Sequence, residues 1–359
     1  MEKIRVGIIG TGYTVGIANM HVTGYKSMGD CHLAALYDIV PGRAAQWAKE
    51  KKIDGVEICS SVEELLDKVD AVSLCVPNSE HIPLLMKVFQ AGKHVLCEKP
   101  ISVDAETAVK ALQAEPKGKI HMIGFSYRGI PALRYMKQVM DSGRMGKVFT
   151  YRETLGGCRI ANPDVKLEWR MQKKTSGTGA LADFGCHMID LCDWLLEKTQ
   201  GPIEEANGMY ARSMEKRASL ETGEMQAVTN DDSAAFTLRL RGGTLASFVA
   251  SRLGVARHTL EIYGEGGMML FRDDKPNELE VWFKDQTGGY DFSAGLKTVQ
   301  VPVELVTVPW QNAEFKEFIE SIKTGNQPDR TLQRGVYIQK IVDKVAKACE
   351  TGNTERIDV

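Results

Sequence analysis

A doubly wound α/β domain, followed by an α+β domain built on a large, open, mostly antiparallel sheet, is the fold this sequence predicts. Three observations lead there. The first third alternates short β-branched runs with helix-like stretches, the pattern of repeated βαβ units. Its first strand-like run closes in a glycine turn, Gly10-Thr11-Gly12. From Glu204 to Pro302 the chain reads mostly as strands in which apolar and polar positions alternate.

The elements follow in order. Strands are predicted at Ile4–Ile9, His32–Tyr37, Val56–Cys59, Ala71–Val76, His94–Cys97 and Ile120–Phe125. Helical stretches lie between them at Pro41–Lys51, Val62–Asp67 and Ile82–Ala91. These strands are continuous apolar runs, which suits a parallel sheet covered on both faces. The character changes after residue 125, giving domains of 1–125 and 126–359. A helix at Ile130–Ser142 ends at Gly143 and leads to a strand at Lys147–Glu153; a loop-like stretch, Gly156–Gly179, precedes a helix at Ala182–Leu196. The later strands are SAAFTLRL, TLASFVASRL, HTLEIYG, GGMMLF, LEVWF and KTVQVPV, and helices at Glu314–Thr324 and Thr331–Glu350 close the chain. The polar stretch Ala211–Asp231 fits either a mobile loop or an oligomer arm.

Composition narrows the function classes. The 359 residues carry 45 basic and 47 acidic side chains, a formal charge of −2, so no global field favours nucleic acid or an anionic membrane. No window approaches the roughly 18 uninterrupted apolar residues of a membrane span, and the first residues lack the pattern of a secretory signal. Eight cysteines are scattered without a C-x-x-C pair, most within apolar runs such as AVSLCVP. A cytoplasmic location with reduced thiols is expected.

Chemistry is concentrated in three places. The first is the turn Gly10-Thr11-Gly12-Tyr13-Thr14-Val15-Gly16, which is one residue longer than G-x-G-x-x-G and places Val15 where a third glycine would pack helix on strand. In a dinucleotide-binding Rossmann fold such glycines permit the tight turn and let backbone amides approach a pyrophosphate at a helix N-terminus; an ordinary βα turn is the alternative. Asp38, 22 residues beyond Gly16, stands near the spacing expected of a carboxylate that binds the adenosine ribose. It would repel a 2′-phosphate, and Ile39 after it is apolar, so NAD is favoured over NADP; Arg43 nearby is the residue that speaks for the phosphate. The second place is the pair of strand ends Val76-Pro77-Asn78-Ser79-Glu80-His81 and Cys97-Glu98-Lys99-Pro100, at the sheet edge where open α/β folds bind ligands. Lys99 there is either a cation aimed at the nicotinamide end of a site or a surface lysine in a turn. The third is Asp183-Phe184-Gly185-Cys186-His187, with Asp190 three residues on. On a helix Asp183 and His187 share a face, which suits proton transfer, a plain surface ion pair, or, with Asp190, a metal site that lacks a second histidine.

Taken together, VPNSEHIPLLMKVFQAGKHVLCEKPIS (76–102), GFSYRGIPALRYMKQVMDSGRMGKV (124–148), EWR (168–170) and GTGALADFGCHMIDLCDWL (177–195) resemble the Gfo/Idh/MocA oxidoreductases, the glucose–fructose oxidoreductase and inositol dehydrogenase group, over almost the whole chain. The extra residue in the glycine turn departs from the family pattern. The resemblance implies Lys99, Asp183 and His187 as catalytic residues: His187 takes the proton of a secondary alcohol, Lys99 hydrogen-bonds its oxygen, and Asp183 orients the histidine. It implies a cofactor site of Gly10, Gly12, Tyr13, Thr14, Val15, Asp38, Arg43, Pro77, Asn78, His81, Glu98 and Lys99. Tyr127, Arg128, Trp169 and Arg170 would join Lys99, Asp183 and His187 around a substrate. That substrate would be a sugar, glycoside or cyclic polyol, oxidised at a ring hydroxyl such as the 3-OH, and no arginine cluster demands an anionic one. Two other functions share the framework: a redox-neutral, NAD-dependent glycosidase using the same residues, and an NAD-sensing regulator, against which the intact Lys99/Asp183/His187 set argues. A homo-oligomer, dimer or tetramer, is implied through the C-terminal sheet, whose apolar face must be buried somewhere.

Overall fold

The computed structural model describes residues 2–12, 16–220, 222–254, 256–284 and 295–358. They form two compact units: residues 1–126, 174–177 and 311–339 in the first, and 127–173, 178–310 and 340–359 in the second.

In the first unit the strands are β1 (Ile4–Ile9), β2 (Cys31–Tyr37), β3 (Glu57–Ile58), β4 (Ala71–Leu74), β5 (His94–Cys97) and β6 (His121–Ile123). They pair in the order β3-β2-β1-β4-β5-β6, and every pair is parallel. This is the doubly wound order of a dinucleotide-binding fold, with its switch point between β1 and β4. The central runs are mostly apolar, as suits strands covered on both faces, and β4 is buried at every residue, Ser73 included. The helices are α1 (Ile17–Lys26), α2 (Arg43–Glu50), α3 (Val62–Lys68), α4 (Asn78–Gln90) and α5 (Ala105–Gln113). α3 starts at Ser61, whose hydroxyl accepts from Glu64 N–H, and α5 starts at Asp104, whose carboxylate accepts from Thr107 N–H. Ile8, Ala18, Val22, Leu36 and Trp47 form one core cluster. In another, Val6, Tyr25, Leu96 and Met122 pack against Phe315, Phe318 and Ile319. Those last three lie on a C-terminal helix, Ala313–Thr324. The tail that sequence places with the second domain thus contributes residues 311–339 to the first unit's core.

The second unit begins with α6 (Pro131–Asp141), β7 (Val148–Gly156) and the single turn α7 (Lys173–Ser176), whose last residues belong to the first unit. A π-turn, Leu181–Gly185, runs into α8 (Cys186–Gln200). Then come β8 (Ile203–Ala211), β9 (Lys216–Ala218), β10 (Met225–Ala227), β11 (Ser233–Leu240), β12 (Leu245–Ser251), β13 (Arg257–Gly264), β14 (Gly267–Arg272), β15 (Glu278–Phe283), β16 (Lys297–Gln300) and, near the end, β17 (Glu355–Arg356). Helices α9 (Ala313–Thr324) and α10 (Leu332–Thr351) precede β17. Nine strands join in the order β16-β15-β14-β13-β7-β12-β11-β8-β17. Only the β12–β7 pair is parallel among the described residues. The alternation seen in sequence is real: Ala234, Phe236, Leu238, Ala246, Phe248 and Ala250 point inward, while Ala235, Leu245 and Val249 face out. The polar stretch at 211–231 holds the β9–β10 hairpin, and its last two residues, Asn230 and Asp231, are buried.

Candidate functional site

In the first unit the candidate residues gather at the switch point of the parallel sheet. Gly10 follows β1 with φ +92°, and a Cβ there would stand 2.5 Å from Cys75 O at the end of β4. Both the backbone angle and the close approach demand glycine. A Cβ on Gly12 would meet nothing within 4 Å, and α1 opens at Gly16 (φ +72°) with no side-chain cap. Open backbone at a helix N-terminus is what a pyrophosphate requires, so these residues fit a dinucleotide. Tyr13, Thr14 and Val15 lie outside the described residues.

Asp38 is in place but engaged. Its Oδ2 accepts from Thr11 N–H at 2.9 Å and from the Thr11 hydroxyl at 2.8 Å; Oδ1 accepts from Val40 N–H at 3.0 Å and Arg43 at 3.3 Å. A carboxylate offers about four lone-pair directions, so ribose hydroxyls would replace a donor rather than find a free oxygen. The Thr11 hydroxyl and the long Arg43 contact are the two that can turn away.

Lys99 is half-buried at the end of β5, and its peptide bond to Pro100 is cis. Glu98 and His81, which the resemblance places at the cofactor, are each buried and hydrogen-bonded within the unit. The Glu98 carboxylate accepts from His21 Nε2 at 2.9 Å. His81 has Nδ1 2.8 Å from Pro100 O and Nε2 3.2 Å from Val76 O. Burial lowers the His81 pKa, and a neutral imidazole has one N–H for these two carbonyls. Pro77 precedes α4, and Asn78, also buried, donates from Nδ2 to Ser176 O at 2.9 Å. The reason is common to all three side chains: the loops beyond a parallel sheet's carboxyl edge have backbone carbonyls and carboxylates to satisfy, and nearby polar side chains do so.

In the second unit the candidate residues lie around the π-turn. Asp231 accepts from Gly179 N–H and, at 3.0 Å, from Leu181 N–H, so it caps this helical start. Burial raises its carboxyl pKa against these bonds. A Cβ on Gly179 would fall 1.6 Å from Asp231 O, so that turn admits only glycine. The sequence suggests one regular helix from Ala182; instead Asp183 sits within the π-turn and His187 in the first turn of α8. Insertions of this kind recur at functional sites. The Asp183 carboxylate stands 3.3 Å from Arg252 Nη2. His187 is 6% exposed, its ring 4.4 Å from that of Tyr127, which also lies 5.1 Å from His258 and 6.1 Å from Trp310.

Arg128 is a residue that the resemblance places near a substrate. It is buried and holds both oxygens of Asp190, at 2.7 and 2.6 Å, with its guanidinium 5.3 Å from the Trp194 ring. Asp190 is thereby committed to an ion pair, and among the described residues no three metal-ligating side chains gather. Arg170 lies 4.2 Å from the Trp169 ring and 3.7 Å from Glu168, which Arg159 also meets. Burial lowers the Arg170 pKa against the pull of Asp183 and Glu168.

Comparison with known proteins gives this arrangement a lineage. Residues 4–125 match the profile described as "Oxidoreductase family, NAD-binding Rossmann fold", GFO_IDH_MocA. Residues 133–270 match the "GFO/IDH/MocA C-terminal domain". The chain belongs to the Gfo/Idh/MocA family. This family member is 28% identical to the levoglucosan dehydrogenase of Pseudarthrobacter phenanthrenivorans, over 97% of this chain and 96% of that one. It is 26% identical to the glucose-6-phosphate 3-dehydrogenase of Bacillus subtilis, over 89% and 86%. Among solved structures, levoglucosan dehydrogenase in complex with NADH and levoglucosan shares the fold with a TM-score of 0.89 at 24% identity, covering 99% of this chain and all of that one. No helix among the described residues is long and apolar enough to cross a membrane.

Four side chains of this Gfo/Idh/MocA protein carry contacts that no motif announces: Arg252 beside Asp183, Asp231 under the π-turn, and the buried histidines His21 and His258. Only Asp231 left a sequence signal, the Asn230-Asp231-Asp232 run ahead of β11. The Asp38 geometry carries a prediction of its own. Replacing Asp38 with serine removes the carboxylate and releases Arg43, so the NADP-to-NAD ratio of kcat/KM should rise by about 10²-fold, the scale of a relieved like-charge encounter. An unchanged ratio in steady-state assays with both cofactors would count against ribose recognition by Asp38.

Proposed function

We propose that this oxidoreductase is an NAD-dependent dehydrogenase of a secondary ring alcohol in a neutral sugar, glycoside or cyclic polyol, with Lys99, Asp183 and His187 as its catalytic set. The observation that carries the reading is His187, a nearly buried imidazole packed on Tyr127 at a helix start that also bears Asp183. An imidazole can accept a proton from an alcohol, and packing against Tyr127 holds this ring in one place. His187 accepts the alcohol proton as the carbon–oxygen bond becomes a carbonyl. Lys99 donates a hydrogen bond to the oxygen and offsets the negative charge that develops there. Asp183, beside Arg252, orients the imidazole. NAD, when bound, supplies the nicotinamide C4 that accepts the hydride from the same carbon.

Two observations bear on the charge of the substrate. Arg159 and Arg170 share Glu168, and Arg252 faces Asp183, so two carboxylates offset two of these three guanidinium charges within the unit. Of the relatives, those named levoglucosan dehydrogenase and inositol 2-dehydrogenase point to neutral substrates, while the one named glucose-6-phosphate 3-dehydrogenase points to a phosphorylated sugar. Trp169 and Tyr127 add aromatic faces suited to stacking on a ring. The cysteines, free among the described residues and mostly buried, fit a reducing cytoplasm. The outer face of the nine-stranded sheet carries Met209, Ala235, Val249 and Thr154 in one cross-strand row, with Met209 71% exposed. A second copy of the chain would cover this face, and a dimer or tetramer mass in light scattering is expected; a monomer at micromolar concentration counts against it.

The test is incubation with NAD and a panel of polyols, free sugars and glycosides, following NADH absorbance and product mass together. NADH rising in step with a ketone product is the expected result. Aglycone release without NADH would replace this reading with redox-neutral glycoside cleavage, and NADH binding without turnover on any member would point to a sensor.

A further inference from the structure

Behind the Glu98-Lys99-Pro100 strand end runs a buried chain of hydrogen bonds that the reaction above does not use. His21, on α1, is wholly buried. Its Nδ1 is 2.9 Å from Ser73 Oγ on β4, and its Nε2 is 2.9 Å from Glu98 Oε1 just past β5. Ser73 Oγ is also 2.7 Å from the Tyr25 hydroxyl, one turn further along α1. One consistent arrangement has Tyr25 O–H donating to Ser73, Ser73 O–H to Nδ1, and Nε2–H to the carboxylate. A neutral imidazole is then fully satisfied, as a buried polar group requires. The Phe315 ring packs edge-on at 4.8 Å, and Gly124 leaves room, since a Cβ there would stand 3.1 Å from Glu98 Oε1. On the other side of Lys99, His81 reaches Pro100 O. The residues before and after the lysine are each held by a buried histidine.

We infer that His21 is a positioning residue of the dehydrogenase: through Glu98 it fixes the strand end that carries Lys99 to the helix that opens at the glycine turn. The inference rests on the dehydrogenase reading of Lys99. A buried carboxylate–imidazole pair is a weak source of net stability, because desolvation offsets most of its attraction, yet it holds geometry tightly. Burial works against the Glu98 charge, but the His21 hydrogen bond and the Lys99 ammonium hold its carboxyl below the usual range. The carboxylate therefore stays acceptor-only, and its hold on the helix persists at neutral pH. Supports behind a reacting group are what keep it within the fraction of an ångström that catalysis needs.

Two polar replacements separate the contacts. His21→Asn keeps an amide toward Ser73 and loses reach to Glu98; His21→Gln extends an N–H toward Glu98. For His21→Asn, kcat should fall about 10–100-fold and the NADH Kd rise about tenfold, with the KM of the alcohol little changed. His21→Gln should keep kcat within about fivefold of wild type. Combined with Glu98→Gln, His21→Asn should cost little more than either change alone, in kcat and in NADH affinity, because both break one bond. Equal losses in the Asn and Gln variants, additive losses in the double variant, or kcat and Kd within about twofold of wild type in His21→Asn would each overturn the proposal. NADH affinity is read without any alcohol. A wild-type protein that binds NADH but oxidises nothing therefore ends the dehydrogenase reading, while the cycle in Kd still judges the His21–Glu98 link.

Discussion

Replacing His187 with asparagine is expected to lower turnover by about 10²–10⁴-fold, the usual contribution of a positioned general base, while the protein stays folded and binds NADH. The imidazole is buried against Tyr127, so asparagine fills most of its volume and keeps a polar edge toward its surroundings. What it cannot do is take up a proton near neutrality. The acid limb of the pH–rate profile, where the wild-type imidazole becomes protonated and stops serving as base, should therefore flatten in the variant. Tyr127→Phe is the control for packing: the ring contact at 4.4 Å survives, and kcat should change far less than in His187→Asn. The measurement is NADH formation on the best substrate of the panel across pH 5 to 10. Turnover within about threefold of wild type, or an unaltered acid limb, would remove His187 from the chemistry.

Why His187 and Lys99 were legible in sequence while their supports were not is a matter of range. The parallel strands announce themselves locally: Ile4–Ile9 and His94–Cys97 are apolar runs bounded by turns, and both appear in the structure with those limits. The alternation in β11 and β12 likewise carries its own facing. By contrast, the partners of His21 lie 52 and 77 residues away, and those of Asp231 some 50. Nothing in the residues beside them encodes those bonds. The π-turn is hidden for another reason: its Leu-Ala-Asp-Phe-Gly segment is compatible with an ordinary helix, and only the Asp231 cap and the crowding at Gly179 define how it starts. The tail shows the same limit. Phe315 and Phe318 declare an apolar helix face, but not that Val6, Tyr25 and Leu96 lie against it. Glu314 on that helix is buried, and burial raises its pKa to about 8 with Glu98 adding to the shift. Carboxylates at 98 and 314 in one core could not have been inferred from either segment alone.

Replacing Lys99 with methionine tests the other half of the chemistry, and a fall in kcat of about 10²–10³-fold is expected, the range seen when one donor to a developing oxyanion is lost. Methionine keeps the length and apolar stem of lysine, so the strand end should not collapse. Glu98 and Pro100 remain tied to His21 and His81 by bonds that do not involve the lysine head. Lys99 is itself only half-buried, so thermal stability should move little. Losing the ammonium also removes a charge that favours the ionised Glu98 carboxylate, but His21 is the larger influence there. NADH affinity should accordingly stay within about threefold, because the proposed site leaves the pyrophosphate and ribose to the glycine turn and Asp38. Arginine is not expected to rescue: its planar fork cannot place a single donor where a compact ammonium stood. If Lys99→Met binds NADH normally and also turns over normally, charge neutralisation at the substrate oxygen has to come from elsewhere. If it loses NADH affinity as severely as turnover, Lys99 serves the cofactor rather than the reaction.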